Sequence, residues 1–207
     1  MEASRLPFFL VPCFLFIATI PLMKNITYIT GNDQKWKTAQ DILGGYGILV
    51  SRKAIETPEV QSLQVEDVAA FSAYFAAATL NAPVIVTDAG FYIEALKGFP
   101  GPLVKHVNDT LTSNDILNMM KDHENRSVIV KECLAYCAPG SEPVTFTSEQ
   151  KATLASEASG ERSSIDNILI LPGFTETVGT APKEKLEKYW VEQLQHYRDF
   201  AEFLSSQ

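Results

Sequence analysis

Positive charge, cysteine and histidine are all scarce in this 207-residue chain, and each scarcity excludes a class of function. Lys and Arg total 17 against 25 Asp and Glu, a formal net charge of −8. A protein that grips nucleic acid or an anionic membrane needs a basic face, so neither is an expected partner. An anionic ligand must find its cations locally. The three cysteines, Cys13, Cys133 and Cys137, form no CxxC pair and have no histidine cluster beside them. Neither a structural zinc site nor a disulfide framework is supported, and a reducing, cytoplasmic setting fits best. Internal repeats are also absent.

Hydrophobic residues make up 46% of the chain, enough for one sizeable core arranged as a single unit or two lobes. The run from Leu6 to Met23 is nearly all apolar and stands apart from this soluble pattern. It is short for a span of ~20 residues, is broken by Pro7, Pro12 and Pro21, and has only Arg5 beside Glu2 as its charged flank. We expect residues 1–22 to reflect an over-called translation start, with Met23 opening the functional domain 23–207. A membrane anchor or a secretory signal are the alternatives.

Downstream, Ile26 to Thr30 reads as a strand, Gly31-Asn32 as a turn, and Gln34 to Leu43 as a helix with Trp36, Ala39, Ile42 and Leu43 in helical register. A second strand falls near Ile48 to Ser51, an Ala-rich core helix over Val65 to Leu80, and a buried strand over Pro83 to Thr87 that ends at Asp88-Ala89-Gly90. The pattern then predicts a helix over Ser113 to Lys121, hairpin strands over Ser127 to Ala138 and Val144 to Lys151, and a strand over Asn167 to Leu171. One last helix, Lys183 to Leu204, carries Leu186, Trp190, Leu194, Tyr197, Ala201 and Leu204 on one face. Strands alternating with helices imply an α/β sheet.

Several short segments could carry chemistry. Thr30-Gly31-Asn32-Asp33-Gln34-Lys35 lies where a strand hands over to a helix, so free backbone N–H groups and the Lys35 ammonium would face an anion there. The same string also reads as a plain turn with an Asn cap. Glu59, in Thr57-Pro58-Glu59-Val60-Gln61, and Asp88 each end an extended segment, and the two carboxylates could share a hard cation. Singly, they read as a loop acid and a turn residue. Gly98 to Lys105 packs two glycines and two prolines into a rigid turn that ends in a lysine, which is either solvated or aimed at a phosphate.

The ordered set TGNxxK, PExQ, a strand ending in DxG, and EALxGFPGPxxK resembles the inosine/xanthosine triphosphate pyrophosphatase family. The resemblance covers Ile26 to Val107 closely and continues more loosely through Lys131 to Tyr136 and Ser164 to Gly173. It implies an elongated mixed β-sheet with flanking helices, two lobes around a nucleotide cleft, and assembly as a homodimer. By position it makes Thr30, Asn32, Lys35 and Lys105 phosphate contacts, Glu59 and Asp88 the Mg²⁺ ligands, Asp88 also the residue orienting the attacking water, and Asp166 a substrate contact. The implied reaction is attack at the α-phosphate of a deaminated purine nucleoside triphosphate, yielding the monophosphate and pyrophosphate. A catalytically silent nucleotide binder of the same fold is the alternative.

The sequence departs from the family at three places. The lysine expected before the Asp88 strand is missing from Ala69-Ala70-Phe71-Ser72-Ala73. Ser163-Ser164-Ile165 stands where an aromatic stacks on the base. Val191-Glu192-Gln193 stands where Ser-His-Arg reads the purine 6-oxo group. His196 and Arg198 could restore those donors only with a shift of helix register, since positions i and i+2 face different sides, and are expected to be solvated. A broader base preference than the family norm follows.

Overall fold

The computed structural model describes residues 24–58 and 60–207. The expectations for residues 1–22, for Cys13 and for Glu59 fall outside the described residues. No helix among the described residues is long and apolar enough to cross a membrane.

β1 (Lys24–Ile29) leads into α1 (Asp33–Gly44), and β2 (Ile48–Lys53) into α2 (Val65–Leu80). β3 (Val84–Ile93), a 3₁₀ turn at 94–96, β4 (Pro100–Gly101), α3 (Val104–Thr110) and α4 (Ser113–Met119) follow. The hairpin of β5 (Ser127–Cys137) and β6 (Val144–Leu154), the short β7 (Leu169–Ile170), α5 (Lys183–Gln193) and α6 (Gln195–Ser205) complete the chain. The strands form one mixed seven-stranded sheet of order β2-β1-β3-β5-β6-β7, with β4 on the side of β3. β1 pairs in parallel with β2 and β3, and the remaining pairs are antiparallel.

Three apolar clusters define the two lobes. Ile26, Tyr28, Leu43 and Phe200 pack on one face of the β1–β2–β3 region under α1 and α6. The alanines of α2 pack with Val84, Val86 and Cys133 on the opposite face, where their small side chains let the helix lie close to the strands. The other lobe is built by Ile93, Ile116, Met120, Ile168 and Leu171, with α5 against it through Leu186 and Tyr189. Burial raises the Cys133 thiol to about 11, which keeps it protonated and unreactive at neutral pH.

Four sequence expectations need correction. β3 does not end at Asp88-Ala89-Gly90 but runs on to Ile93, because Gly90 is there for clearance: a Cβ at this position would lie 2.5 Å from the Tyr92 ring and 2.8 Å from Val65. Lys105 sits in the first turn of α3 and not at the end of a rigid turn. The strand expected over 167–171 shrinks to Leu169–Ile170. The long C-terminal helix is two helices, broken at Leu194 (φ −81°, ψ 78°). The break turns α6 so that His196 and Phe200 join Tyr197 and Ala201 in the interior.

Candidate active site

β1 and β3 pair only through Thr27–Tyr28 and Val84–Ile85, so the chain after Ile29 leaves the sheet and opens a cleft. The Thr30–Lys35 loop lies at its edge. The Asn32 side chain caps α1, accepting from the backbone N–H of Gln34 at 2.9 Å and of Lys35 at 3.0 Å, and the Thr30 hydroxyl accepts from the Asn32 N–H at 3.1 Å. The plain-cap reading and the anion-site reading therefore describe the same turn, since Asn32 and Lys35 also line the cavity beyond it. Arg52 braces the loop from β2. Its guanidinium donates to the carbonyls of Thr30 at 2.9 Å and Gly31 at 2.6 Å and pairs with Asp33. No motif flagged Arg52; only its pairing across a parallel strand reveals it.

The cavity holds about 220 Å³ and is walled mainly by apolar side chains, with Asn32, Lys35, Glu132, Ser148, Gln150 and Asp166 among its polar points. Lys35 reaches the floor, where its ammonium donates to Thr87 Oγ1 at 3.2 Å and stands 3.8 Å from Glu132 Oε1. Burial disfavours the charged ammonium, but Glu132, helped by Tyr28 and Asp88, outweighs it and raises the lysine pKa. Lys35 stays cationic when unliganded. Thr87 is held in turn by Tyr28, whose hydroxyl lies 2.5 Å from Thr87 Oγ1 and 3.2 Å from the Tyr197 hydroxyl. On the other lobe, burial raises the Asp166 carboxyl, against the lowering effects of Ser163 and Arg162.

His196 is not solvated, contrary to expectation. It is fully buried, with Nδ1 2.6 Å from Ser148 Oγ and Nε2 3.8 Å from Glu132 Oε1. Burial depresses its pKa to about 4, despite the opposing pull of Glu132, so the ring is neutral at physiological pH. A carboxylate beside Nε2 favours the tautomer with the proton on Nε2, which leaves Nδ1 to accept from the serine. Arg198 is half-buried too. It donates to the carbonyls of Val191 at 2.6 Å and Leu194 at 3.3 Å, filling the acceptors that the break at Leu194 leaves open.

Asp88 and Lys105 do not line this cavity. They line a second hollow together with Thr57, Ser72 and Thr87. Thr87 joins the two, since its hydroxyl meets Lys35 on the first side. The structure thus brings Asn32, Lys35 and Asp166 to one chamber and Asp88 and Lys105 to the next, with β3 as the shared wall. Ser72 of α2 lines that second wall, and its hydroxyl lies 3.4 Å from that of Thr57. No group of three or more His, Cys, Asp or Glu suited to a metal occurs among the described residues.

A mixed, bent sheet with a helix N-terminus, a half-buried lysine and an apolar chamber between two lobes defines a nucleotide-cleft protein of the α/β class. Residues 26–190 match the Ham1 family, and the chain belongs to it. It is 43% identical over 137 residues to a dITP/XTP pyrophosphatase of Methanopyrus kandleri, covering 66% of this chain and 73% of the relative. It is 34% identical over 125 residues to an inosine triphosphate pyrophosphatase of Ajellomyces capsulatus, covering 60% and 67%. A solved HAM1 protein from Coxiella burnetii superposes with a TM-score of 0.74 at 18% identity, covering 89% of this chain and all of that one. A Staphylococcus aureus Ham1 structure gives 0.69 at 21% identity, covering 88% and 99%.

Proposed function

We propose that this protein hydrolyses non-canonical purine nucleoside triphosphates, ITP, dITP and XTP, to the monophosphate and pyrophosphate. The observation that carries the reading is Lys35: a half-buried, charged lysine at the N-terminal end of α1, facing an apolar chamber sized for a flat ligand. The names of the relatives support it. Thr30, Asn32 and Lys35 receive phosphate oxygens at the mouth of α1, and Lys105, on α3, meets the phosphate that extends into the second hollow. The chamber takes the base, where Asp166 supplies a polar contact, and the apolar walls exclude water.

Mg²⁺ is the expected cofactor, held by Asp88 together with Glu59. Beside Asp88 the hollow carries the hydroxyls of Thr57, Ser62, Ser72 and Thr87 together with Lys105 and His106; the oxygens suit a hard cation that takes one or two carboxylates and completes its shell with water and substrate phosphate. When bound, it neutralises charge on the phosphates and sharpens a water for attack. Asp88 would orient the attacking water at the α-phosphate, while Lys35 and Lys105 stabilise the charge that builds on the phosphate oxygens. Homodimer assembly and a cytoplasmic site of action belong to the same proposal.

A catalytically silent nucleotide binder is the second reading. It is favoured by the stretch Ala69-Ala70-Phe71-Ser72-Ala73, which supplies no lysine and brings only the Ser72 hydroxyl to the Asp88 hollow. Pyrophosphate release with Mg²⁺ across ITP, XTP, dITP, ATP, GTP and dUTP separates the two. Cleavage of the deaminated nucleotides is the expected outcome. Nucleotide binding without release from any substrate would establish the silent binder.

A further inference from the structure

The segment that precedes Asp166 offers no ring to a base. The Ser164 hydroxyl is committed to Asn108 Oδ1 at 2.9 Å, the Ser163 hydroxyl accepts from the Asp166 N–H at 3.2 Å, and Ile165 is buried. The chamber nevertheless has an indole in its wall. Trp190, in the last turn of α5, lines it and is half-buried there. Its position is fixed from behind: Tyr189 meets the ring edge-on, centroids 5.1 Å apart at 76°, and Trp190 packs against the apolar clusters of both lobes. Val104, Ile165 and Leu169 complete an apolar slot. A flat heteroaromatic ligand gains most from such a wall when a broad π-face lies against it.

We propose that Trp190 is the base-stacking platform of this cleft, supplied by the C-terminal helix in place of the segment before Asp166. The proposal rests on the nucleotide reading above and adds the residue that binds the base. A stack of this kind recognises a purine face and not its edge pattern. It therefore holds purines broadly, while Asp166 and the neighbouring polar groups sort among them.

Two variants keep apolar volume at this position: Trp190→Leu without a ring and Trp190→Phe with one. Binding is measured calorimetrically with a non-hydrolysable inosine triphosphate analogue and with inorganic tripolyphosphate. Trp190→Leu should weaken nucleotide affinity roughly 10- to 100-fold and Trp190→Phe much less, with tripolyphosphate affinity unchanged in both. In Trp36→Phe protein, where Trp190 is the remaining tryptophan, the nucleotide should quench fluorescence and tripolyphosphate should not. Wild-type nucleotide affinity in Trp190→Leu, or an equal loss for both ligands, would overturn the stacking role alone. If the wild-type protein binds neither ligand, the nucleotide reading and the stacking role fall together.

Discussion

Asn32 and Lys35 are expected at a strand-to-helix turn and the structure sets them there on the chamber wall, whereas Asp166, named only through the resemblance, lines the same chamber from a turn before β7. Asp88 was legible too, although it lies within β3 and in the second hollow. Asp88→Asn removes a ligand charge at nearly constant volume, so kcat should fall at least about 100-fold while the circular dichroism spectrum stays unchanged. Activity near wild type would remove Asp88 from the mechanism. Glu132 and Ser148 on the chamber wall, and Thr87, which meets Lys35 from the second hollow, were invisible in the sequence, since their roles come from strand register. The misreading of His196 followed from treating the last helix as continuous.

His196 also sets a pH dependence. Its folded pKa of about 4 lies below the ordinary value of 6.5, so the unfolded chain binds the extra proton more readily. The contribution to stability is complete above about pH 6.5 and is lost as pH falls toward 4, amounting to ~3 kcal/mol at most. Urea denaturation of wild type and His196→Gln between pH 4 and 7 checks this. The wild type should lose stability on acidification more steeply than the variant.

Among the elements, α2 was read to its ends because its alanines carry both propensity and pattern, and the β5–β6 hairpin because long β-branched runs flank a Gly-containing turn. α3 was missed at 7 residues, hidden by the prolines and glycines before it. Val104, Val107 and Leu111, spaced by three and four, were the signal that could have found it. The break between α5 and α6 has no glycine or proline to announce it. It is a tertiary effect, set by the burial of His196 and Phe200. Phe200 is fully buried and meets Tyr136 at 5.6 Å and Phe146 at 6.0 Å between ring centroids. Phe200→Ala should cost about 3–5 kcal/mol, read from chemical denaturation, by leaving a cavity that the two rings cannot close.

For the whole molecule, an α/β sheet followed from the alternation of strands and helices and its mixed order and two lobes from the family resemblance, while the division of the cleft into two chambers followed from neither. That division depends on the β3 strand continuing past Asp88, which only packing around Gly90 reveals. If the cation is held chiefly by Asp88, Glu59 and substrate, it is no part of the folded core. Chelation with EDTA should then stop pyrophosphate release and leave the melting temperature of the nucleotide-free protein unchanged. A large drop on chelation would place the cation in the architecture instead.

The β3–β5 ladder runs unbroken from Val84 opposite Cys137 to Ile93 opposite Val128, and its two ends belong to different lobes. The lobes are therefore joined by a stiff plate and not by a flexible strap. Closing the cleft by a large hinge would mean tearing that ladder, so accommodation of a ligand is left to the rim: the Thr30–Lys35 loop, α3 and the α5–α6 junction. Amides along β3 and β5 should exchange slowly whether or not the cleft is filled, and slowing on ligand addition should be confined to those rim segments.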